Sequence, residues 1–254
     1  MKIPRKYAII IYTYMPKVYG LVGWIGCGKD TAADFLVNKY NFKRISYAQH
    51  LKDAVSAVFG WDRDLLEGRT EFSRTWRETV DPWWATRLDI AELTPRWVLQ
   101  NVGTEVFRNH FHPDIWVAST ERAIQETLSQ GQNVVISDCR FANEFDSINS
   151  LHGRLVAITR YQRFPIWHHC ALTQNNSTTE LEYLHQHGMT METLWPDVHA
   201  SEWHWVGRAV HHEIWNQGTL DDLYAGLAQM MFSEFMSSKI TNQVGISPTL
   251  PSHT

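Results

Sequence analysis

The feature that most constrains this chain is a glycine-rich loop, Gly23–Thr31, which follows the apolar run Val18–Val22 and precedes a helical pattern. Glycines in such a turn let successive backbone N–H groups face an anion that a Cβ atom would obstruct. The helix that follows adds the positive end of its dipole, and Lys29 adds a mobile cation. The strand before the loop and the helix after it therefore predict a site for nucleotide phosphates.

The end of the loop narrows the chemistry further. The usual motif ends in Gly-Lys-Ser/Thr, whose hydroxyl reaches Mg²⁺, whereas here Asp30 holds that place and Thr31 comes one residue later. Adenylate-kinase-like loops share this G-x-x-G-x-G-K-x-T arrangement, so the loop resembles those of enzymes that transfer phosphoryl groups to small molecules. We expect ATP and Mg²⁺ as cofactors. The expected ATP ligands are Gly23, Gly26, Gly28, Lys29, Asp30 and Thr31.

Composition limits the class of protein. With 254 residues and 44% hydrophobic content, the chain can build one substantial core, and we expect a single domain over residues 1–236. The net charge of −4 argues against a nucleic-acid partner. Three scattered cysteines fit a reducing cytoplasm, and no segment approaches the ~18 apolar residues of a membrane span. The N-terminal Tyr7–Met15 is either an added strand or a loose extension.

The order of the remaining patterns predicts an α/β fold. Helical spacing over Thr31–Tyr40, a short strand at Phe42–Ser46 and a helix at Ala48–Phe59 ended by Gly60 give the doubly wound alternation. Thr94-Pro95 opens another helix, because a capping residue followed by proline is typical of a helix start. Further strands are expected at Asn133–Asp138, Arg154–Arg160 and Ala209–Asn216. We therefore predict a central, mainly parallel five-stranded sheet flanked by helices.

Three stretches are less regular. Residues 61–94 crowd tryptophans and charges together, and this insertion either surrounds the substrate side or forms a surface cap. Residues 161–198 form a polar, histidine-rich insertion where Arg160 and Arg163 would sit in a closing lid, with a loop expected at Gln174–Thr179. Its histidines could collect zinc with Cys170, although surface or packing roles are favoured. Residues 237–254 are expected to be a disordered tail.

Asp138 is the first candidate outside the loop. It ends the clearest buried strand, and ligands of parallel α/β sheets sit beyond the carboxyl ends of the strands, so Asp138 should lie beside the phosphate loop. The alternative for an aspartate in this position is a helix cap. Arg140 and Glu144 follow it on the loop and the next helix.

Taken in order, these residues resemble the deoxynucleoside monophosphate kinases of tailed bacteriophages, within the nucleoside monophosphate kinase group. The resemblance spans most of the chain and omits the stretches 61–93 and 163–197. The matching segments are Gly23–Thr31, Tyr47–Lys52, Arg96–Thr104, Pro113–Trp116, Asp138–Glu144, His199–Glu202 and Asn216–Leu220.

The resemblance implies a three-layer P-loop kinase fold with a helical insertion and a lid, and ATP-dependent conversion of a deoxynucleoside monophosphate to its diphosphate. It implies catalytic roles for Lys29, Arg96, Asp138 and Arg140, and an ATP contact from Arg160 on lid closure. The substrate-binding set that it implies is Lys52, Arg96, Gly103, Thr104, Trp116, Asp138, Arg140 and Glu144. Without the resemblance, core packing is the more ordinary role for Trp116.

Several points stay open at this stage. Thr31, Asp30 or Asp138 could supply oxygen near Mg²⁺, and the sequence does not choose between them. A homodimer is expected from the resemblance alone. The rival functions are a dephospho-coenzyme A or phosphomevalonate type of kinase, which would share the loop and sheet, and a non-catalytic nucleotide-binding regulator.

Overall fold

A five-stranded sheet in the order β2-β3-β1-β4-β5 forms the centre of the fold, and every strand pair in it is parallel. The structure is a computed structural model that describes residues 18–160, 164–176 and 178–244, so the predicted N-terminal extension and Arg163 lie outside it. The strands are β1 (Val18–Val22), β2 (Lys43–Ile45), β3 (Val134–Ile136), β4 (Arg154–Thr159) and β5 (His212–Trp215). The predicted sheet is confirmed.

Helices fill the connections between the strands. Before the third strand these are α1 (Lys29–Tyr40), α2 (Gln49–Phe59), α3 (Arg63–Glu67), α4 (Glu71–Arg77), α5 (Pro82–Leu88), α6 (Pro95–Gln100), a π-helix (Asn101–Phe111) and α7 (Ile115–Ser129). After it come α8 (Ala142–Ser150), α9 (His168–Asn176), α10 (Thr178–Gln186), α11 (Met191–Leu194), α12 (Ala200–Trp203) and α13 (Leu220–Val244).

The helices form a layer on each face of the sheet. Leu36 of α1 and Leu227 of α13 share one buried cluster, while Ile124 of α7 and Ile148 of α8 belong to another. Gly20 in β1 allows the second layer to approach closely, since a Cβ atom there would lie 2.3 Å from Cδ1 of Ile148. All five residues of β1 are buried, as a central parallel strand requires.

Helix boundaries agree with the turn chemistry in some places and differ in others. Thr94 Oγ1 accepts a hydrogen bond from Trp97 N at 3.1 Å, with proline at the first helical position, and Gly60 ends α2 with φ 70°. Both of these predictions are confirmed. The helix that Thr94-Pro95 opens changes to π-helical bonding after Gln100, which the sequence did not predict.

The loop predicted at Gln174–Thr179 is wrong, because α9 runs to Asn176 and α10 begins at Thr178. The polar side chains that suggested a loop make specific contacts. Gln174 Oε1 accepts from Met191 N at 2.6 Å, and Asn175 Nδ2 donates to the carbonyl oxygens of Trp203 and Val206 at 2.9 and 3.0 Å. These bonds satisfy backbone groups of neighbouring segments and hold the helix in place.

The tail predicted from residue 237 is also shortened, because α13 continues to Val244. Met230, Met231 and Phe235 are buried against the first core cluster, which favours extension of this helix along the sheet. Residues 245–254 lie outside the described part of the chain. Among the described helices, none combines the length and apolar character that crossing a membrane needs.

The two insertions each form a small core of their own. In the first, Trp61, Trp76 and Trp84 pack with Phe59 of α2, so residues 61–94 are helical as predicted. In the second, Met191 and Trp203 are buried together with Ala171.

Candidate active site

The glycine-rich loop has the backbone that an anion cradle requires. Gly23 has φ 140° and Gly28 has φ 104°, which L side chains rarely adopt. A Cβ atom at Gly23 would lie 2.4 Å from the carbonyl oxygen of Ile158, and one at Gly28 would lie 2.5 Å from Nδ2 of Asn216. Asn216 Nδ2 donates to the Cys27 carbonyl at 2.9 Å, which fixes the loop to the end of β5.

Lys29 begins α1 and turns back over the loop. Its Nζ donates to the carbonyl oxygens of Gly23 and Trp24 at 2.6 and 2.8 Å. Burial lowers the pKa of Lys29, and Arg140 lowers it further, while Cys27 and Asp30 oppose the change. Because these partners are neutral carbonyl oxygens, the ammonium group can move to a phosphate without breaking an ion pair.

The loop opens into a cleft of about 1000 Å³. One side, here called the sheet wall, consists of residues 25–30, 44–48 and 137–144; the other, the helical wall, consists of residues 63–78 and 96–108. Of the described lining residues, ten are lysine or arginine and five are aspartate or glutamate. The chain as a whole carries a charge of −4, so the cleft is a local concentration of positive charge that suits phosphorylated ligands.

Asp138 lies in the sheet wall, and both of its carboxylate oxygens are engaged. Oδ1 accepts from Tyr47 N at 3.0 Å, while Oδ2 accepts from Ser46 Oγ at 2.6 Å and Ala48 N at 3.1 Å. Asp138 therefore binds the segment that precedes α2, and not the helix that follows it in the sequence. This ties the ends of β2 and β3 together beside the loop.

The candidate metal residues Asp30 and Thr31 both lie in the first turn of α1. Asp30 is exposed and forms an ion pair with Arg44, which also bonds Ser137 Oγ at 2.8 Å. Thr31 is half-buried and is not among the residues that line the cleft. Within the described ranges, no group of three or more His, Cys, Asp or Glu side chains is arranged to hold a metal ion.

Arg96 and Arg140 come from distant segments and meet at one carboxylate. Arg96 Nη2 and Arg140 Nη1 each lie 3.3 Å from Oε1 of Glu202, and Arg96 Nη1 donates to Glu78 Oε1 at 3.0 Å. Arg140 also donates to Ser201 Oγ at 3.3 Å. Two planar forks that share one carboxylate oxygen can exchange it for a phosphate oxygen.

Glu144 is buried at the start of α8, with both oxygens engaged inside the protein. Oε1 accepts from Arg108 Nη2 at 2.5 Å, and Oε2 accepts from the backbone N–H groups of Arg140 and Phe141 at 2.7 and 3.1 Å. Burial raises the pKa of Glu144, while Arg108 and the two N–H groups oppose the rise. In this structure Glu144 positions Arg108 and the loop that carries Arg140.

Three other predicted substrate residues, Gly103, Thr104 and Trp116, also line the cleft. Trp116 is 6% exposed, donates from Nε1 to the Gly103 carbonyl at 2.9 Å and packs on Phe107 with ring centroids 5.0 Å apart. Trp116 therefore packs in the core, which is its more ordinary role, and it also lines the cleft. Gly103 is required by packing, since a Cβ atom there would lie 2.6 Å from Cδ2 of Leu51. Thr104 is half-buried beside it and also faces the cleft.

Lys52 lines the cleft as part of a charged group that joins α2 to α3. Its Nζ lies 2.9 Å from Glu67 Oε2, and Arg63 Nη1 lies 2.5 Å from Glu67 Oε1. Burial raises the pKa of Glu67, but Lys52 and Arg63 outweigh burial and lower the pKa to about 2. The ion pairs of Glu67 with Lys52 and Arg63 thus connect the insertion to α2 at the cleft.

Arg160 and the histidine-rich insertion are not brought into the cleft. Arg160 follows β4 as an exposed residue and is not part of the lining. The insertion instead surrounds Trp24 of the phosphate loop, whose ring lies 5.5 Å from Trp167 and 5.9 Å from His168. The lid contacts predicted for Arg160 and Arg163 therefore stay predictions.

The structure also places residues in the cleft to which the sequence assigned no role. Arg44 and Arg77 line it, as does Arg108, which the sequence marks as a useful residue of its helix without a role, and Glu202 bridges two of the arginines. One signal could have indicated part of this set, because residues 63–77 hold four of the chain's arginines in an otherwise acidic protein. Those four are Arg63, Arg69, Arg74 and Arg77.

Comparison with known proteins gives one relative that bears on function. A protein of Acanthamoeba polyphaga mimivirus, whose name assigns it to the deoxynucleotide monophosphate kinases, is 33% identical over 150 residues. The match covers 56% of this chain and 72% of the viral protein. No protein-family model matches the chain.

Two solved structures were compared for fold. Dephospho-CoA kinase from Campylobacter jejuni has a TM-score of 0.39 and 12% identity, covering 86% of this chain and 97% of its own. A Thermus thermophilus protein has a TM-score of 0.39 and 19% identity, covering 86% and 98%.

Proposed function

The chain belongs to the deoxynucleotide monophosphate kinase family, and from that premise we propose that it transfers the γ-phosphoryl group of ATP to a deoxynucleoside 5′-monophosphate. An oxygen of the acceptor phosphate attacks the γ-phosphorus, the bond from that phosphorus to the β,γ-bridging oxygen breaks, and ADP leaves with the electron pair. The product is the deoxynucleoside diphosphate.

One observation carries this proposal: the phosphate loop and a set of arginines face each other across a single cleft of about 1000 Å³. Phosphoryl transfer between two nucleotides needs two phosphate sites that share one volume, with charge neutralised where the groups meet. Lys29 of the loop lines the same cleft as Arg96 and Arg140, which supports two phosphate sites in one volume.

On the sheet wall, the loop would hold the donor. Gly26 lines the cleft and has open space around it, so the backbone N–H groups of the loop could face the β- and γ-phosphates there. Lys29 would leave the two loop carbonyls and bind the phosphates, so that its charge offsets the negative charge of the transition state.

Arg96 of the helical wall and Arg140 of the sheet wall would hold the acceptor phosphate or the migrating group. Both arginines line the cleft, and their shared contact to Glu202 Oε1 brings the two planar forks close to one another. A guanidinium matches two phosphate oxygens at once, which a lysine cannot do. We therefore expect both arginines to exchange Glu202 for phosphate when the acceptor enters.

Mg²⁺ would be held at the first turn of α1 together with ATP. Both Asp138 oxygens accept hydrogen bonds, and Asp30 is paired with Arg44. Of the two candidates in that turn, Asp30 lines the cleft and Thr31 does not, so we propose that Asp30 would contact the ion through water. When bound, the ion would supply positive charge that offsets the charge of the ATP phosphates.

The test is to supply Mg²⁺ and ATP with a panel of deoxynucleoside monophosphates, nucleoside monophosphates and dephospho-coenzyme A, and to follow ADP formation. The proposal predicts ADP that depends on a deoxynucleoside monophosphate. ADP formed only with dephospho-coenzyme A would assign the chain to that kind of kinase. No acceptor-dependent ADP would leave nucleotide binding without transfer, as in a regulator, and would overturn the proposal.

A further inference from the structure

Arg77, in the last turn of α4, is a cation of the cleft that the proposed reaction does not yet use. It lies within residues 61–93, where the chain has no resemblance to the kinase family. Its Nε is buried and has no hydrogen-bond partner among the described residues. Its Nη1 reaches only the Leu66 carbonyl, at a long 3.4 Å.

The side chain is fixed in place by the backbone beneath it. Gly68 has φ 67°, and a Cβ atom there would lie 2.2 Å from both Cζ and Nη2 of Arg77. The guanidinium therefore lies against the Gly68 backbone, in space that any other side chain at position 68 would fill. Such a contact orients the planar group without neutralising it.

The carboxylates near Arg77 are already paired with other cations. Glu78 contacts Arg96 at 3.0 Å, and the two oxygens of Glu67 contact Lys52 and Arg63. Burial lowers the pKa of Arg77, and the positive charges of Arg96 and Arg140 lower it further, while Glu78 and Glu67 oppose the change. Arg77, Arg96 and Arg140 line the same cleft, and an incoming anion would offset their like charges.

We propose that Arg77 binds the acceptor phosphate together with Arg96 and Arg140, which makes the tryptophan-rich insertion a working part of the acceptor site. This inference rests on the proposed function for the identity of the ligand. A monophosphate presents three terminal oxygens, and three guanidinium groups that line one cleft can each take part of that charge. The insertion is then required for acceptor recognition and is more than a surface cap.

The test compares three variants with the wild-type protein in steady-state kinetics. Arg77→Met should raise the KM for the deoxynucleoside monophosphate by roughly 10- to 100-fold, the loss expected for one charged hydrogen-bonding contact, while the KM for ATP changes less than about twofold. Arg87→Met is the matched control, since Arg87 is an exposed arginine of the same insertion outside the cleft. Arg77→Lys, which keeps the charge without the fork, should lie between them.

A second readout separates this inference from the proposed function. Binding of the same deoxynucleoside monophosphate, without ATP, is measured by titration calorimetry on each folded variant. Weaker binding in Arg77→Met than in Arg87→Met supports the anion site even if no transfer occurs. Equal acceptor binding in the Met and Lys variants and the wild type, or equal rises in both KM values, would overturn the role of Arg77 while leaving the transfer reaction standing. No binding to the wild-type protein would overturn both.

Discussion

The two walls of the cleft are built in different ways. In the sheet wall, Asp138 and the buried Glu144 accept hydrogen bonds from backbone N–H groups and so hold that backbone in fixed positions. In the helical wall, long cationic side chains predominate, and Arg63 and Arg96 among them are paired with carboxylates. The first wall is therefore preorganised by the fold, while the second can exchange its partners when a ligand enters.

This difference separates the expected roles of the two nucleotides. ATP has the same phosphates in every reaction cycle and suits a rigid cradle. An acceptor site lined by exchangeable ion pairs can be emptied and refilled, because each carboxylate that leaves is replaced by a phosphate oxygen. Variants of the two walls should therefore fail in different measurements.

The largest expected effect is on stability and belongs to the sheet wall. Glu144→Gln leaves the Arg108 charge buried without its partner, and we expect the free energy of unfolding to fall by about 3–5 kcal/mol. Urea denaturation measures this loss. Glu126→Gln, at an exposed position of α7, serves as control and should change stability little. A loss below about 1 kcal/mol at Glu144 would show that this wall does not depend on the buried pair.

The next effect is on turnover. Lys29→Ala removes a preorganised cation from the donor site, so kcat should fall by about 10²–10³, equivalent to about 2.7–4 kcal/mol. The fold should persist, because Lys29 contacts only carbonyl and sulfur atoms of its own loop. Initial-rate kinetics test this, with the exposed Lys39→Ala of the same helix as control. Turnover near the wild-type value would contradict the role of the loop.

A smaller effect is expected at the junction of the two walls. Arg140→Ala should lower kcat/KM for the acceptor by roughly 10- to 100-fold, since one charged hydrogen-bonding contact is lost, and should leave the KM for ATP nearly unchanged. Arg122→Ala, an exposed arginine of α7, is the control. If ATP and acceptor were affected alike, the division of the cleft into donor and acceptor walls would be wrong.

The smallest effect concerns pH and belongs to the helical wall. The pKa of Glu67 is lowered from 4.5 to about 2, so the folded protein binds fewer protons at this carboxylate than the unfolded chain does. Its contribution to stability is fully present above about pH 4.5 and is lost as the pH falls toward 2. Because solvent reaches the group, we expect a modest loss.

Urea midpoints measured from pH 6 to pH 3 test this expectation. The decline should be shallower in Glu67→Gln than in the wild type, and Glu92→Gln, an exposed control in the same insertion, should keep the wild-type slope. An unchanged slope in Glu67→Gln would show that the Lys52 and Arg63 contacts do not stabilise the fold.

The same contrast explains what the sequence could predict. The loop, its glycines and the parallel strands are local patterns, so Gly23, Gly28, Lys29 and the order of the sheet followed from short stretches. Asp138 was predicted beside the loop, but its contacts with Ser46, Tyr47 and Ala48 depend on a neighbouring strand and had no local signal.

The helical wall was least accessible to sequence reasoning. Glu202 joins Arg96 and Arg140 across gaps of 106 and 62 residues along the chain, and no spacing rule connects such positions. Arg77 lies in a helix whose pattern resembles a surface segment. Gln174 and Asn175 are polar and therefore suggested a loop. In the structure they lie in a helix and bond distant segments, and composition does not reveal those contacts.

The most direct test of the central claim, that two nucleotide phosphates meet in one cleft, is to follow the label from γ-labelled ATP in the presence of Mg²⁺ and a deoxynucleoside monophosphate. The account predicts that the label appears in the β-phosphate of the deoxynucleoside diphosphate, and that both Lys29→Ala and Arg140→Ala reduce it. Label found only in inorganic phosphate, at a rate that the acceptor does not change, would contradict the account.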